Sequence, residues 1–393
     1  MKQRIRMAAL LICAVFLFAS CIAPITPPEE QSLPTQTSAS TTNGGSSPQV
    51  PTYDPNWFLV QAEIEANQIL KRPMAGVVDV SEETYTYAEM AEDLRLLETI
   101  YSGIFTYRVI GRSVAGRDLY AAVLGNPNAP RQIVVTAAIH AREYMTSMLV
   151  MKQIEFYLSH MRVGGYNTTS YAELFNQFCF YIVPMVNPDG VMLSQEGLDS
   201  LPTEEMKQTI RTIFQTEKHS YTDFDLYLSH WKANANGVDL NRNYDAKWEE
   251  YNKADAPQSS HYKGPAPESE PETQAIVSLI NSLSNPIASL CIHSQGEVIY
   301  WNCGQTGAAK TESVHLANLI ASSNGYRVIN EQNNDASLSD WCELVKGIPA
   351  ITVETGNRQC PLPIDQFADI WMANYDLWAL VAEDYWRMLG GTH

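Results

Sequence analysis

The chain is 393 residues long with a formal net charge of −18, 45% hydrophobic residues and seven cysteines. That acidic balance argues against nucleic acid and anionic lipid surfaces as partners, since both carry the same sign of charge. No pair of cysteines has C-x-x-C spacing, which speaks against a cysteine-based metal module.

Lys2, Arg4 and Arg6 precede the apolar run 7–19, which closes on Ser20-Cys21. A basic flank, a short apolar core and small residues describe a secretory signal peptide over residues 1–21, since a membrane span needs roughly 20 apolar residues. Cys21 stands where a bacterial lipoprotein signal places its lipidated cysteine, although Phe18 occupies a position where leucine is usual. The expectation is an exported protein held at the outer face of the cell membrane through Cys21, with ordinary cleavage as the alternative. Residues 22–55 are Pro, Ser, Thr, Gln and Gly with almost nothing to bury, hence a flexible linker. Residues 56–393 are expected to form one folded domain.

Within it, residues 87–101 have helical periodicity, and 107–111 followed by 118–125 reads as a hairpin. In QIVVTAAIHAREY, residues 133–136 form a β-branched apolar run that leads to His140 and Glu143, and 145–158 behind it reads as a helix. Residues 178–186 read as a strand ending in the turn signal Asn187-Pro188-Asp189-Gly190. Residues 191–230 are polar and partly helical, an insertion. Then follow a helix at 268–284, a strand at 287–292 ending on His293, a helix at 312–324, a strand at 350–354 and a closing helix at 366–389. Strands alternating with helices predict a single α/β domain, with a mixed, mostly parallel twisted sheet covered by helices on both faces. Of the domain's cysteines, Cys179 and Cys291 lie in apolar runs and read as small buried hydrophobes; a Cys303–Cys342 or a Cys342–Cys360 bridge stays open.

His140 and Glu143 follow the carboxyl end of a strand, where open α/β sheets place ligands. An imidazole and a carboxylate at this spacing can share a cation, and a catalytic zinc site needs three protein ligands. His293, ending its own apolar run, is the best third ligand. Asn241 and Arg242, in Gly237-Val238-Asp239-Leu240-Asn241-Arg242-Asn243, suit a carboxylate: the guanidinium binds it bidentately and the amide adds a donor. Glu354 ends an apolar strand, where desolvation raises a carboxyl pKa and suits it to act as a general base. A serine hydrolase would need a G-x-S-x-G elbow, which the chain lacks.

Taken in order, Gly116-Arg117, His140-x-x-Glu143, Asn187-Pro188-Asp189-Gly190, Asn241-Arg242-Asn243, Ser269-Glu270-x-Glu272, His293-Ser294, Asp340-Trp341 and Glu354 resemble the zinc carboxypeptidase family, carboxypeptidase A-like, in its bacterial branch, over residues 85–386. The resemblance implies one zinc ion on His140, Glu143 and His293, with Glu354 as the base of a reaction that uses zinc-activated water. It further implies that Asn241 and Arg242 hold the substrate's terminal carboxylate, that Arg117 touches the substrate nearby, and that Lys232 stands where animal members have an oxyanion-facing arginine. Residues 327–350 contain no tyrosine where the family's lid tyrosine would lie. The specificity position before Asp340 is Leu338 or Ser339, neither charged, which implies a pocket for small or apolar groups. The implied activity is a metallocarboxypeptidase acting on peptides with a free C-terminal carboxylate. The alternative is a γ-D-glutamyl-diamino acid peptidase of cell-wall peptides. A peptide-binding lipoprotein without activity is more remote, because it would need neither ligands nor base.

Overall fold

The computed structural model describes residues 76–391; the expected signal peptide and linker lie outside the described residues. Helix α1 (Tyr87–Ile100) starts at a capping box, in which Thr86 accepts from the Glu89 amide and the Glu89 carboxylate accepts from that of Thr86. Strands β1 (Phe105–Arg112) and β2 (Asp118–Gly125) form the expected antiparallel hairpin, with a bulge between Val109 and Gly111. Strand β3 (Gln132–Ala137) is buried at every position, which is why its sequence reads as a continuous apolar run without alternation. Helix α2 (Met145–His160) follows it. Next come the two-residue strands β4 (Gly165–Tyr166) and β5 (Thr169–Ser170), helix α3 (Tyr171–Gln177) and strand β6 (Cys179–Val183).

Helices α4 (Pro188–Glu196), α5 (Glu204–Thr216) and α6 (Phe224–Ser229) occupy the segment read as an insertion. They enclose their own small core of Leu193, Leu201, Ile210, Ile213, Leu228 and Trp231. The chain continues through α7 (Pro271–Ser282), β7 (Pro286–His293), β8 (Val298–Tyr300), α8 (Gly307–Asn324), β9 (Arg327–Ile329), α9 (Leu338–Trp341), β10 (Ala350–Glu354), α10 (Phe367–Asn374) and α11 (Leu377–Met388).

Eight strands form one sheet in the order β1-β2-β6-β3-β7-β10-β8-β9. Its centre, β6-β3-β7-β10, is parallel, and antiparallel pairs join β2 to β6 and β10 to β8. Side chains alternate across the sheet. Ile133 and Val135 enter the core shared with α1, α2, α8 and α11, whereas Val134 meets Ile276 and Ile280 of α7 and Trp341 of α9 on the other face. The sheet is therefore covered by helices on both sides, as the alternation implied.

Some expectations are corrected. Asn187-Pro188-Asp189-Gly190 opens a helix instead of forming a turn: Asn187 caps it by accepting from the Gly190 amide, and Pro188 sits in the first turn, where its missing N–H costs nothing. The closing helix is two helices, divided at Tyr375-Asp376. Cys179, Cys291, Cys303, Cys342 and Cys360 are all buried free thiols, so neither open bridge forms.

Candidate active site

The parallel ladders end together. Ala137 of β3 pairs with Ile292 of β7, and His293 pairs with Glu354 of β10, so the residues beyond these strand ends emerge at one edge. After β3 the chain tightens into the single turn Ala141–Glu143, with His140 just before it. Ala141 and Arg142 donate their amides to the carbonyls of Lys232 and Trp231 at 3.1 and 3.0 Å, which brings Lys232 beside the His140 turn. The Asn187 side-chain amide donates to the carbonyls of Ile139 and Ala233 at 3.3 and 3.0 Å, tying the same two segments. A Cβ on Gly190 would collide with the Ala233 carbonyl oxygen, so that position requires glycine.

His140, Glu143 and His293 are each at most 4% exposed, and one ligand atom from each lies within 4.8 Å of the others. His140 Nδ1 is 2.8 Å from Glu143 Oε1, His293 Nδ1 is 3.0 Å from Glu143 Oε2, and the two Nδ1 atoms are 3.2 Å apart. Tetrahedral ligands at the usual Zn–N distance of about 2.0–2.1 Å stand roughly 3.3 Å from one another, so this spacing fits a single zinc ion. Burial alone would raise the Glu143 pKa, but the two imidazoles outweigh it and hold the carboxyl well below the ordinary range. Behind His140, Asp239 is fully buried with Oδ1 3.3 Å from Nε2, within ion-pair range although not aligned as a hydrogen bond. A carboxylate behind a ligand histidine orients the ring and raises its basicity.

His140 and Glu143 open onto a cavity of about 380 Å³ that also contains Lys232, Asn241, Arg242 and Glu354. Burial pushes the Glu354 pKa up to about 7, with His293 opposing and Glu143 adding to the rise. Arg242 is 8% exposed; its Nε donates to the Tyr251 hydroxyl at 3.0 Å, and Nη2 lies 3.4 Å from Asp335. Burial disfavours its charge, and Asp239 and Asp335 more than compensate. Asn241 Oδ1 accepts from the Leu338 amide at 3.1 Å, so what Asn241 can offer a ligand is its N–H donors.

Arg117 is placed elsewhere. It does not line this cavity; its guanidinium donates to Asp189 and to the Ser200 carbonyl, both at 2.7 Å, and fastens the β1–β2 connection to α4. Arg142 lines the cavity instead, with Nε buried and without a hydrogen-bond partner among the described residues. Its signal was its place between His140 and Glu143. The uncharged pocket is also corrected: Ser339 does line the cavity, but Asp335, Asp340 and Glu343 supply three carboxyl groups. Aromatic surface comes from Tyr300 and Trp301.

Residues 90–376 match the family model of the zinc carboxypeptidases. Gamma-D-glutamyl-L-diamino acid endopeptidase 1 of Lysinibacillus sphaericus is 32% identical over 296 residues, 74% of this chain and 70% of that protein. The crystal structure of thrombin activatable fibrinolysis inhibitor shares the fold at a TM-score of 0.63 and 17% identity, covering 83% of this chain and 80% of that one. Carboxypeptidase A from Helicoverpa armigera does so at 0.56 and 16%, covering 82% and 78%. With two histidines and a glutamate converging at the carboxyl edge of the sheet and a match that runs from α1 into the last helical pair, the chain belongs to the zinc carboxypeptidase family of metallopeptidases.

Proposed function

We propose that this zinc peptidase releases the C-terminal residue of peptides, and that peptides of the bacterial cell wall are its substrates. The observation that carries the reading is the convergence of His140, Glu143, Glu354, Asn241 and Arg242 on one cavity, with His293 Nδ1 3.0 Å from Glu143 Oε2. A zinc ion held by His140, Glu143 and His293 would supply Lewis-acid polarisation of a carbonyl and lower the pKa of water. Glu354 accepts the proton of the attacking water and returns it to the leaving nitrogen, so that water is divided between the new carboxylate and the new amine. Lys232 and Arg142 supply positive charge where the carbonyl oxygen gains negative charge. Asn241 and Arg242 hold the substrate's terminal carboxylate, which places the last peptide bond, and no internal one, at Glu354.

The cell-wall assignment is supported by the relative named for γ-D-glutamyl-L-diamino acid bonds, 32% identical in an alignment that covers 74% of this chain. When the diamino acid ends a peptide its α-carboxylate is free, so one anchor serves both ordinary and γ-linked substrates. Export belongs to the same proposal: the basic flank, the apolar run and Cys21 would tether the enzyme where cell-wall peptides are made and trimmed. Complete ligand and base sets have no use in a protein that only binds peptides.

Digestion of a cell-wall tripeptide and tetrapeptide beside ordinary peptides, followed by mass spectrometry, tests the reading. Release of single C-terminal residues is expected, from the tripeptide most efficiently. Internal cleavage without such release would overturn it. Intact mass of the membrane-fraction protein, compared with Cys21→Ser, tests the lipid anchor.

A further inference from the structure

Glu343 lines the cavity while only 4% exposed. Its Oε1 is engaged twice, by the Ser313 hydroxyl and by the Ala350 amide at 2.8 Å. Its Oε2 is buried and has no hydrogen-bond partner among the described residues. A buried carboxylate oxygen without a donor is costly, and such an orphan in a cavity wall calls for a ligand that donates to it. Burial pushes the Glu343 pKa up to about 7; the hydrogen bonds from Ser313 and Ala350 oppose the rise, and the charges of Asp340 and Glu312 add to it.

Asp340 lies in the same wall, held by the amides of Asp335 and Ser337 at 2.8 and 3.2 Å. Directly after α9 the backbone widens into a π-turn, Cys342–Lys346, which carries Glu343. Such widened turns recur at functional sites because they re-aim a side chain. Ser339, also in the wall, is too small to close off the space. The cavity thus presents both signs of charge: Arg142, Lys232 and Arg242 against Asp340 and Glu343.

We infer that Glu343, assisted by Asp340, is the specificity-determining residue of this pocket and selects a C-terminal residue whose side chain ends in an ammonium group, a diamino acid. An ammonium has three donors and no acceptor, so it satisfies the orphaned oxygen and neutralises the wall together. An apolar side chain of equal length would desolvate both carboxyl groups and pair neither. The inference rests on the C-terminal-release reading and extends it to the side chain.

The test uses the zinc-loaded full-length protein and Glu343→Gln, whose amide oxygen can still accept from Ser313 and Ala350. Each is assayed on one peptide ending in lysine or in norleucine, and each is titrated calorimetrically with free lysine and free norleucine. The parent should favour lysine over norleucine in kcat/KM by roughly ten- to a thousand-fold, the range for a desolvated charge pair, and Glu343→Gln should collapse that ratio towards one. Calorimetry should show the same preference and the same collapse. Equal turnover of the two peptides by the parent overturns the inference and leaves C-terminal release standing, and a lysine preference that survives Glu343→Gln overturns it too. If no C-terminal residue is released at all, the release reading fails and calorimetry decides: lysine bound more tightly by the parent alone supports the site, and equal binding rejects it. Should the variant not fold, the parent's preference between the two amino acids decides by the same criterion.

Discussion

Glu354 on β10 is the direct register partner of His293 on β7. In neighbouring parallel strands, partners in register project to the same face, so sheet pairing alone sets the proposed base beside a metal ligand. Glu354→Gln keeps the shape and removes the base. Its kcat should fall by roughly 10²–10⁴-fold while zinc stays bound, as kinetics with metal analysis on the same sample would show. Activity within about threefold of the parent would move the base elsewhere.

His293→Ala leaves Glu143 with one imidazole and should largely lose zinc, read by elemental analysis at one equivalent per parent chain. Chelation of the parent should abolish activity and lower Tm, because the metal binds the folded state alone; added zinc should restore both. A variant that retains a full equivalent of zinc would show that the third ligand is misassigned.

Arg242, held between Tyr251 and Asp335, is a buried cation and the proposed anchor of the substrate carboxylate. Amidating the substrate's C-terminus, or Arg242→Ala, should each cost about 2–5 kcal/mol, tens to thousands-fold in kcat/KM. Because both changes remove the same contact, they should not add. Equal cleavage of free-acid and amidated peptides by the parent would remove the anchor role.

Arg117 pairs with the fully buried Asp189, which also accepts from Ser113 and Ala115. Arg117→Ala leaves that carboxylate short of a charged partner and should destabilise the fold by about 1–3 kcal/mol in urea denaturation. Its kcat/KM below the transition should stay within about threefold of the parent. A tenfold loss of kcat/KM at unchanged stability would return Arg117 to the substrate site.

Glu272 is fully buried; it accepts from the Val114 amide at 3.0 Å, and burial pushes its pKa up to about 8. Between the ordinary value of 4.5 and about 8, the folded chain keeps a proton that the unfolded chain releases. Its contribution to stability is therefore fully present below the ordinary value and is lost as pH rises through about 8, at no more than about 1.4 kcal/mol per pH unit. Glu272→Gln removes this dependence. Paired thermal melts from pH 5 to pH 8 should show the parent losing Tm relative to the variant, and parallel curves would contradict the assignment.

Reading the sequence worked best where chemistry is local. The strands before His140 and His293 and up to Glu354 are long apolar runs, and burial on both faces accounts for that composition. The three-residue strands β8 and β9 were missed because so short a segment gains its strand character from its neighbours in the sheet. Asn187-Pro188-Asp189-Gly190 fits a turn and a helix start equally well. What selects the helix is the burial of Val191 and Leu193, which no local pattern reports.

By itself the sequence determined the chemical inventory: two histidines and a glutamate at or just beyond strand ends, a glutamate proposed for proton transfer, and an Asn-Arg pair proposed for a carboxylate. Which charges meet the substrate was decided only in three dimensions. Arg117 and Arg142 are both arginines beside motif residues, yet one is bound to Asp189 and the other enters the cavity. Glu343 carries no motif; the π-turn after α9 and its packing against Ser313 and Ala350 bring it into the cavity wall. A side chain's identity is written at its own position, but its direction and solvation are set by segments far along the chain, and those two quantities govern what a charge can do.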